Sequence, residues 1–209
     1  MLPRSMHRPL LIASAATVIP FALYLFAVGT WASSAALALA LFAVVAYSAP
    51  PLRFKEVPLL DSVTSPAHFT LPAVVGALIG GAFIGGYLGL ALAAFFLWGM
   101  ASHALGAVQD VQSDRAGGLR SVATELGARL TTRSASTLYL AAAALCFALP
   151  SPGWAVGLLG LGYVANTVRF WKVTDATSAV VNRAWRVFLW LNYLTGAAVT
   201  FAVLASVAR

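Results

Sequence analysis

The chain has 209 residues, 61% of them hydrophobic and only 9% Asp, Glu, Lys or Arg, where an ordinary soluble domain carries roughly a quarter charged residues. That excludes a water-soluble globule, which needs more polar surface, and a disordered chain, which needs the opposite composition. The formal charge of +7 comes without any basic run, so it does not mark a nucleic-acid partner.

The apolar residues must face lipid, and a membrane-spanning helix takes about 20 of them. Apolar stretches run from Pro9 to Thr30, Ser33 to Ala49, Ser65 to Phe83, Tyr87 to Val108, Ser134 to Leu149, Pro152 to Trp171 and Ala184 to Val207. Their length and the lack of strand-like alternation predict an all-α integral membrane protein of seven transmembrane helices, a single domain over 1–209. The lone Cys146 excludes an intramolecular disulfide and has no neighbours that would make a metal site.

The connections alternate in character. The Gly29/Trp31, Gly85/Gly86 and Pro150/Gly153 turns are uncharged, whereas every other connection is charged. With seven spans, Arg4, Arg8, Arg53, Lys55, Arg115, Arg120, Arg129, Arg133, Arg169, Lys172, Arg183 and Arg186 all fall on one side, leaving only Arg209 opposite. By the positive-inside rule that side is the cytoplasm: a multi-pass protein of the cell (inner) membrane, N-terminus and charged loops inside. Glu56, Asp61, Asp110, Asp114, Glu125 and Asp175 lie on the same face or at its edge, so polar chemistry is expected at the cytoplasmic helix ends. A cleaved signal peptide at the start fits poorly, because its apolar run is too long. Gly76/Gly80 and Gly81/Gly85/Gly89, with Gly157 and Gly160 to Gly162, have the spacing of close helix packing. Pro20 and Pro72 are expected to kink their spans.

Two connections carry candidate chemistry. In Tyr47-Ser-Ala-Pro-Pro-Leu-Arg53-Phe-Lys55-Glu56-Val-Pro-Leu-Leu-Asp61, prolines bias the backbone away from helix, and an extended, ordered loop would present Arg53 and Lys55 to an anion. A solvated topology signal is the plainer alternative. In His103-Ala-Leu-Gly106-Ala-Val-Gln109-Asp110-Val-Gln-Ser-Asp114-Arg115, a continuous helix would stack Asp110 and Asp114 on one face, with His103 further into the membrane. Like charges at that spacing repel. Holding Mg²⁺ would explain them, because this ion takes one or two protein carboxylates and completes its shell with water and phosphate oxygens. Arg115 and Arg120 would hold the remaining phosphate charge. A solvated helix end is the alternative. His68 and His103 read first as hydrogen-bonded structural residues, on the faces of Asp61 and Asp110 respectively. Asn192, Tyr193, Asn166 and Thr167 are explained by interhelical hydrogen bonds. Carboxylates and cations at the mouth of a lipid-embedded bundle suit a prenyl diphosphate, its head at the surface and its tail between helices.

At these residues the sequence resembles the UbiA superfamily of intramembrane prenyltransferases, from about Ala43 to the C-terminus. The resemblance rests on Tyr47 to Lys55 with Leu60-Asp61, and on Gln109-Asp110-Val-Gln-Ser-Asp114-Arg115-Ala-Gly117 followed by Ser121-Val-Ala-Thr-Glu-Leu-Gly127. The second stretch matches the family's second Asp-rich motif. Asp61-Ser-Val-Thr-Ser with His68-Phe69, and Leu189-Trp-Leu-Asn192-Tyr193 with Gly196, look most like the lycopene elongase/hydratase branch. The resemblance implies transfer of a dimethylallyl group from its diphosphate to a lipophilic acceptor, lycopene, with addition of water as an optional sequel. It also implies Mg²⁺ on Asp110 and Asp114, diphosphate contacts from Arg53 and Lys55, and Tyr47 near the ionising allylic carbon. Asp61, His68, His103 and Asn192 are carried over as binding-site members.

The family pattern has nine helices and a first Asp-rich motif, N-D-x-x-D-x-x-x-D, whereas no acid precedes Glu56 here. The seven spans then correspond to helices 3–9, and the expectation is an N-terminally incomplete domain, weakly active or inactive alone. A start assigned too late, a separate chain supplying the first two helices, or a degenerate paralogue would each account for it. A non-catalytic membrane partner subunit and a prenyltransferase acting on a quinone precursor stay open as alternatives.

Overall fold

A computed structural model describes residues 3–207, and among these every regular element is helical. Eight α-helices follow in order: α1 (Arg4–Val28), α2 (Trp31–Ser48), α3 (Leu60–Ile79), α4 (Gly86–Gln109), α5 (Val111–Ala116), α6 (Val122–Phe147), α7 (Trp154–Val168) and α8 (Asn182–Val207). Short 3₁₀ turns occupy Phe54–Glu56 and Asp175–Val181. Each of the seven apolar stretches has become a helix, and α5 is an added short one in the second charged connection.

Local chemistry sets several boundaries. The Thr30 hydroxyl accepts the Ser33 N–H at 3.2 Å and starts α2. Ser121 and Thr124 form a reciprocal box at the start of α6, the Thr124 N–H donating to Ser121 Oγ at 3.2 Å and the Ser121 N–H to Thr124 Oγ1 at 2.8 Å. The hydroxyls of Ser102, Thr131, Thr132, Ser136 and Thr167 bond back to carbonyls four residues earlier, which satisfies them within their own helix.

Five helices are long and apolar enough to cross a membrane: α1, α2, α3, α4 and the segment ending in α8. The protein is thus a multi-pass membrane protein. Helix α7 is apolar but shorter, at 15 residues. Helix α6 has the length, yet Glu125, Arg129 and Arg133 near its start and a line of hydroxyl residues lower its hydropathy.

The core lies where α4, α6, α7 and α8 meet. Ala101, Ala104, Ala123, Ala128, Ala135 and Ala184 let the helices approach closely, and aromatic rings fill the remaining space. Tyr139 stacks on Tyr163 at 5.3 Å between centroids, and Trp98 stacks on Phe188 at 5.9 Å. Tyr163 Oη donates to Asn192 Oδ1 at 2.8 Å and stands within hydrogen-bond distance of the Thr195 hydroxyl, at 3.1 Å. Asn166 Nδ2 donates to the Ala184 carbonyl at 2.9 Å. These are the interhelical bonds expected of Asn192 and Asn166, whereas Thr167 bonds back within α7 and Tyr193 is exposed. Helices α2 and α3 extend the bundle from α4, and α1 lies against α2 with an exposed surface along nearly its whole length.

The glycine expectation divides. A side chain added at Gly157 would come within 2.9 Å of the Phe147 ring, and one at Gly160 within 2.8 Å of Ala143 Cβ, so these two do mark close packing of α6 on α7. At Gly76 and Gly89 an added Cβ meets nothing within 4 Å, while Gly81 and Gly86 have positive φ and serve the α3–α4 turn. Spacing alone does not say which face of a helix another helix occupies. Gly106, outside the predicted set, is a close approach: a Cβ there would lie 3.1 Å from the Trp185 ring.

Candidate active site

The charged connections gather at one end of the bundle, tied together by two buried or half-buried acids. Asp61, at the start of α3, is fully buried. Its Oδ2 accepts the Val122 N–H at 2.7 Å and its Oδ1 the Ser62 N–H at 2.7 Å. The carboxylate therefore sits at the N-terminus of α6, where free N–H groups and the helix dipole favour negative charge. His103 Nε2 stands 3.6 Å from Asp61 Oδ2. That pairing departs from the sequence expectation, which set His103 with Asp110: a packed neighbour across α3–α4 takes precedence over residues on the same helix.

His68 is hydrogen-bonded within its own helix, as the structural reading of it expected. Its Nδ1 lies 2.7 Å from the Thr64 carbonyl, and its ring meets Tyr47 edge-on at 4.9 Å. Tyr47 at the end of α2 is thereby supported from α3.

The loop before α3 is not extended. Arg53 adopts a left-handed backbone with φ of 40° and opens the 3₁₀ turn Phe54–Glu56, which folds the chain back so that the Arg53 guanidinium pairs with Glu56. The prolines flank this turn rather than stretching it. Lys55 is exposed and, among the described residues, joins no ion pair.

Asp110 and Asp114 do face each other's charge, but not from one continuous helix. The chain breaks at Asp110, with φ of −99° and ψ of 1°, and α5 starts after it. The Asp114 N–H still donates to the Asp110 carbonyl at 2.8 Å, which keeps the two in helical register. Asp110 is exposed and Asp114 half-buried. Partial burial, with the Asp110 charge adding to it, pushes the Asp114 carboxyl above the usual carboxylate range. Neither side chain joins an ion pair among the described residues.

Arg115 turns the other way. Its Nη1 donates to Asp175 Oδ2 at 2.6 Å, and its Nη2 and Nε donate to the Thr124 carbonyl at 2.8 and 3.3 Å. Arg120 Nη2 reaches Glu125 Oε2 at 3.4 Å, an exposed and loose pair. Asn192 lies apart from the carboxylates, bonded to Tyr163 and lining an open groove of about 540 Å³ with Arg186, Leu189, Trp190 and Tyr193.

Asp175 and Gly127 are residues to which sequence reasoning gave no role in the site. Asp175 Oδ1 accepts the Ala128 N–H at 2.6 Å. Gly127, inside α6 at φ +78°, breaks the helix so that Ala128 begins a second N-terminus. The available signal was that Asp175 is the sole acid between Glu125 and the C-terminus, set among Arg169, Lys172, Arg183 and Arg186.

No cluster of three or more His, Cys, Asp or Glu suited to a metal occurs among the described residues. A pair of uncompensated carboxylates still fits Mg²⁺, which asks for one or two and takes its other ligands from water and phosphate.

An all-helical, multi-pass membrane bundle with paired carboxylates and cations collected at one end is the class that fold and site define. The model of the UbiA prenyltransferase family matches residues 5–194, and the chain belongs to that family; it is a membrane prenyltransferase. It is 53% identical over 204 residues to a lycopene elongase/hydratase of Corynebacterium glutamicum, covering 98% of this chain and 71% of the relative. It is 49% identical over 207 residues to the C(50) beta-cyclic carotenoids biosynthesis protein LbtBC of Dietzia sp., covering 99% of this chain and 48% of that protein. A lycopene elongase/hydratase of Haloarcula japonica is 34% identical over 173 residues, covering 78% of this chain and 56% of the relative. No solved structure matches significantly.

Proposed function

We propose that the protein transfers a dimethylallyl group from its diphosphate to lycopene in carotenoid biosynthesis. The observation that carries this reading is the Asp110/Asp114 pair, two neighbouring carboxylates at the bundle mouth of which neither joins an ion pair among the described residues, with burial and the Asp110 charge raising the Asp114 carboxyl. Likeness to lycopene elongase/hydratases at 53% and 34% identity supports the choice of acceptor.

On this reading Asp110 and Asp114 hold Mg²⁺, which when bound supplies the positive charge that stabilises a departing diphosphate. Lys55, exposed and free of an ion pair among the described residues, makes the first contact with the diphosphate. Arg53 and Arg120 form the rest of the basic rim, whereas Arg115, expected from the sequence to hold phosphate, is committed to Asp175 and the Thr124 carbonyl. The allylic carbon–oxygen bond breaks with its electron pair leaving on the diphosphate. A carbon–carbon bond then forms to a terminal double bond of lycopene, and the cation left on the acceptor is quenched by loss of a proton or by addition of water with loss of a proton. The Tyr47 ring, braced by His68, faces the allylic cation. Asp61 and His103 hold the entrances of α3, α4 and α6 in place, and Asn192 borders the groove along α8 that a long polyene would use.

The same reading has seven helices spanning the cell membrane as one domain, with the N-terminus and active-site loops cytoplasmic and the bilayer holding both the donor's tail and the acceptor. The deciding experiment compares carotenoids from lycopene-producing cells with and without the gene. Elongated carotenoids that appear only with the gene support the assignment. Unchanged lycopene together with prenylation of a quinone precursor would overturn the choice of acceptor.

A further inference from the structure

Helix α5 carries Asp114 yet has only six residues, and a helix this short does not hold its own shape or direction in water. Its orientation has to be imposed by bonds to the rest of the protein. Burial of Val111 in the core anchors its start, and side-chain bonds from Gln112 and Arg115 set its direction, converging on the α7–α8 connection and the start of α6. Arg115 Nη1 donates to Asp175 Oδ2 at 2.6 Å, Gln112 Nε2 donates to the Asp175 carbonyl at 2.9 Å, and Arg115 Nη2 donates to the Thr124 carbonyl at 2.8 Å.

Helical geometry gives these bonds a direction. At about 100° per residue, Gln112 and Arg115 project within about 60° of one another, whereas Asp110 and Asp114 project to roughly the opposite side. The face that grips Asp175 is therefore the back of the face that presents the two carboxylates. Asp175 is in turn fixed from a third direction by the Ala128 N–H at 2.6 Å. That bond depends on Gly127. Its φ of +78° exposes the N–H, and a Cβ at Gly127 would stand 3.3 Å from Asp175 Oδ1.

We infer that Asp175 is a positioning residue for the prenyl-transfer site: by clamping Gln112 and Arg115 from the α7–α8 connection, it aims the Asp110/Asp114 pair at the metal and diphosphate. This rests on the function proposed above. An exposed Arg–Asp pair alone contributes little. Here, however, the acid also caps a helix and the guanidinium also holds a carbonyl, so the pair is one side of a closed set of bonds joining α5, α6 and the 3₁₀ turn before α8.

The test uses the purified chain in lipid nanodiscs and two readouts that need no turnover. Hydrogen–deuterium exchange reports on the amides of 111–116. Mn²⁺ binding, followed by electron paramagnetic resonance, reports on the carboxylate pair. Asp175→Asn should speed exchange in 111–116, leave exchange in α7 unchanged, and weaken Mn²⁺ binding about tenfold, the usual scale for losing a residue that orients a metal ligand. Gln112→Ala, on an exposed side chain that does not endanger folding, should shift both readouts in the same direction by less. Unchanged exchange in 111–116, or faster exchange with undiminished Mn²⁺ affinity, overturns the inference. Asp114→Asn separates the two levels. If it binds Mn²⁺ as the unaltered chain does, the metal reading itself falls and the inference with it. If it loses binding while Asp175→Asn does not, only the inference falls.

Discussion

Asp61 Oδ2 accepts the Val122 N–H at 2.7 Å, so a fully buried carboxylate at the entrance of α3 closes the N-terminus of α6, 61 residues further along the chain. The bond joins the two charged connections singled out from the sequence. Asp61→Asn keeps the shape but replaces one accepting oxygen by a donor that faces a donor. An unsatisfied buried group costs about 1–3 kcal/mol. A lower melting temperature in detergent is expected, with faster hydrogen exchange at the start of α6. An unchanged melting temperature would refute this account of Asp61.

The carboxylate pair should behave in the opposite way. Asp110→Asn/Asp114→Asn removes mutual repulsion, so stability should hold or rise slightly. Mg²⁺-dependent formation of elongated carotenoid should drop by about a hundredfold or more, the scale of losing charge stabilisation at a transition state. Retained product formation would show that the pair is not the metal site.

Acid should reach this site early. The Asp114 carboxyl protonates above the usual carboxylate value because of partial burial and the Asp110 charge. A raised folded-state value means that the protonated form is favoured: the stability it contributes is present at low pH and lost as pH rises through the raised value. Divalent-ion binding needs the ionised form and runs the other way. Mn²⁺ affinity should begin to fall while the pH is still above about 4, the ordinary Asp value. A titration that stays flat down to that point would contradict the environment described for Asp114.

Glycine substitutions should separate by face rather than by spacing. Gly160→Ala sets a methyl 2.8 Å from Ala143 Cβ and forces α6 from α7, a loss of about 1–3 kcal/mol. Gly76→Ala meets nothing within 4 Å inside α3, and should be neutral or stabilise the helix by up to about 1 kcal/mol. Melting temperatures of the two variants check the pair of expectations, and equal losses would contradict the packing.

Tyr163→Phe leaves the ring stack with Tyr139 in place but removes the hydroxyl that serves Asn192 and Thr195. Interhelical hydrogen bonds in membrane proteins average about 0.6 kcal/mol. A small fall in melting temperature is expected, with prenyl transfer retained. Abolished transfer would mean that these bonds shape the acceptor groove directly.

Composition and apolar run length determined that this chain is helical and lives in a membrane, because lipid leaves the backbone no partner but itself and the requirement is local. The charge pattern along the loops likewise put Asp61, Asp110 and Asp114 at helix ends and Arg53 in the α2–α3 connection, which is where they lie. Contacts between distant segments were beyond its reach. That Asp61 would serve Val122, that His103 would turn to Asp61, and that Asp175 would hold Arg115 depend on which helix faces are brought together. Helix periodicity orders residues around one axis and says nothing about the neighbour's rotation. The same limit explains Gly76 and Gly160, alike as helical glycines in the sequence and opposite in surroundings. Tertiary packing alone decided which charges stay available for a ligand and which are committed to holding the helices together.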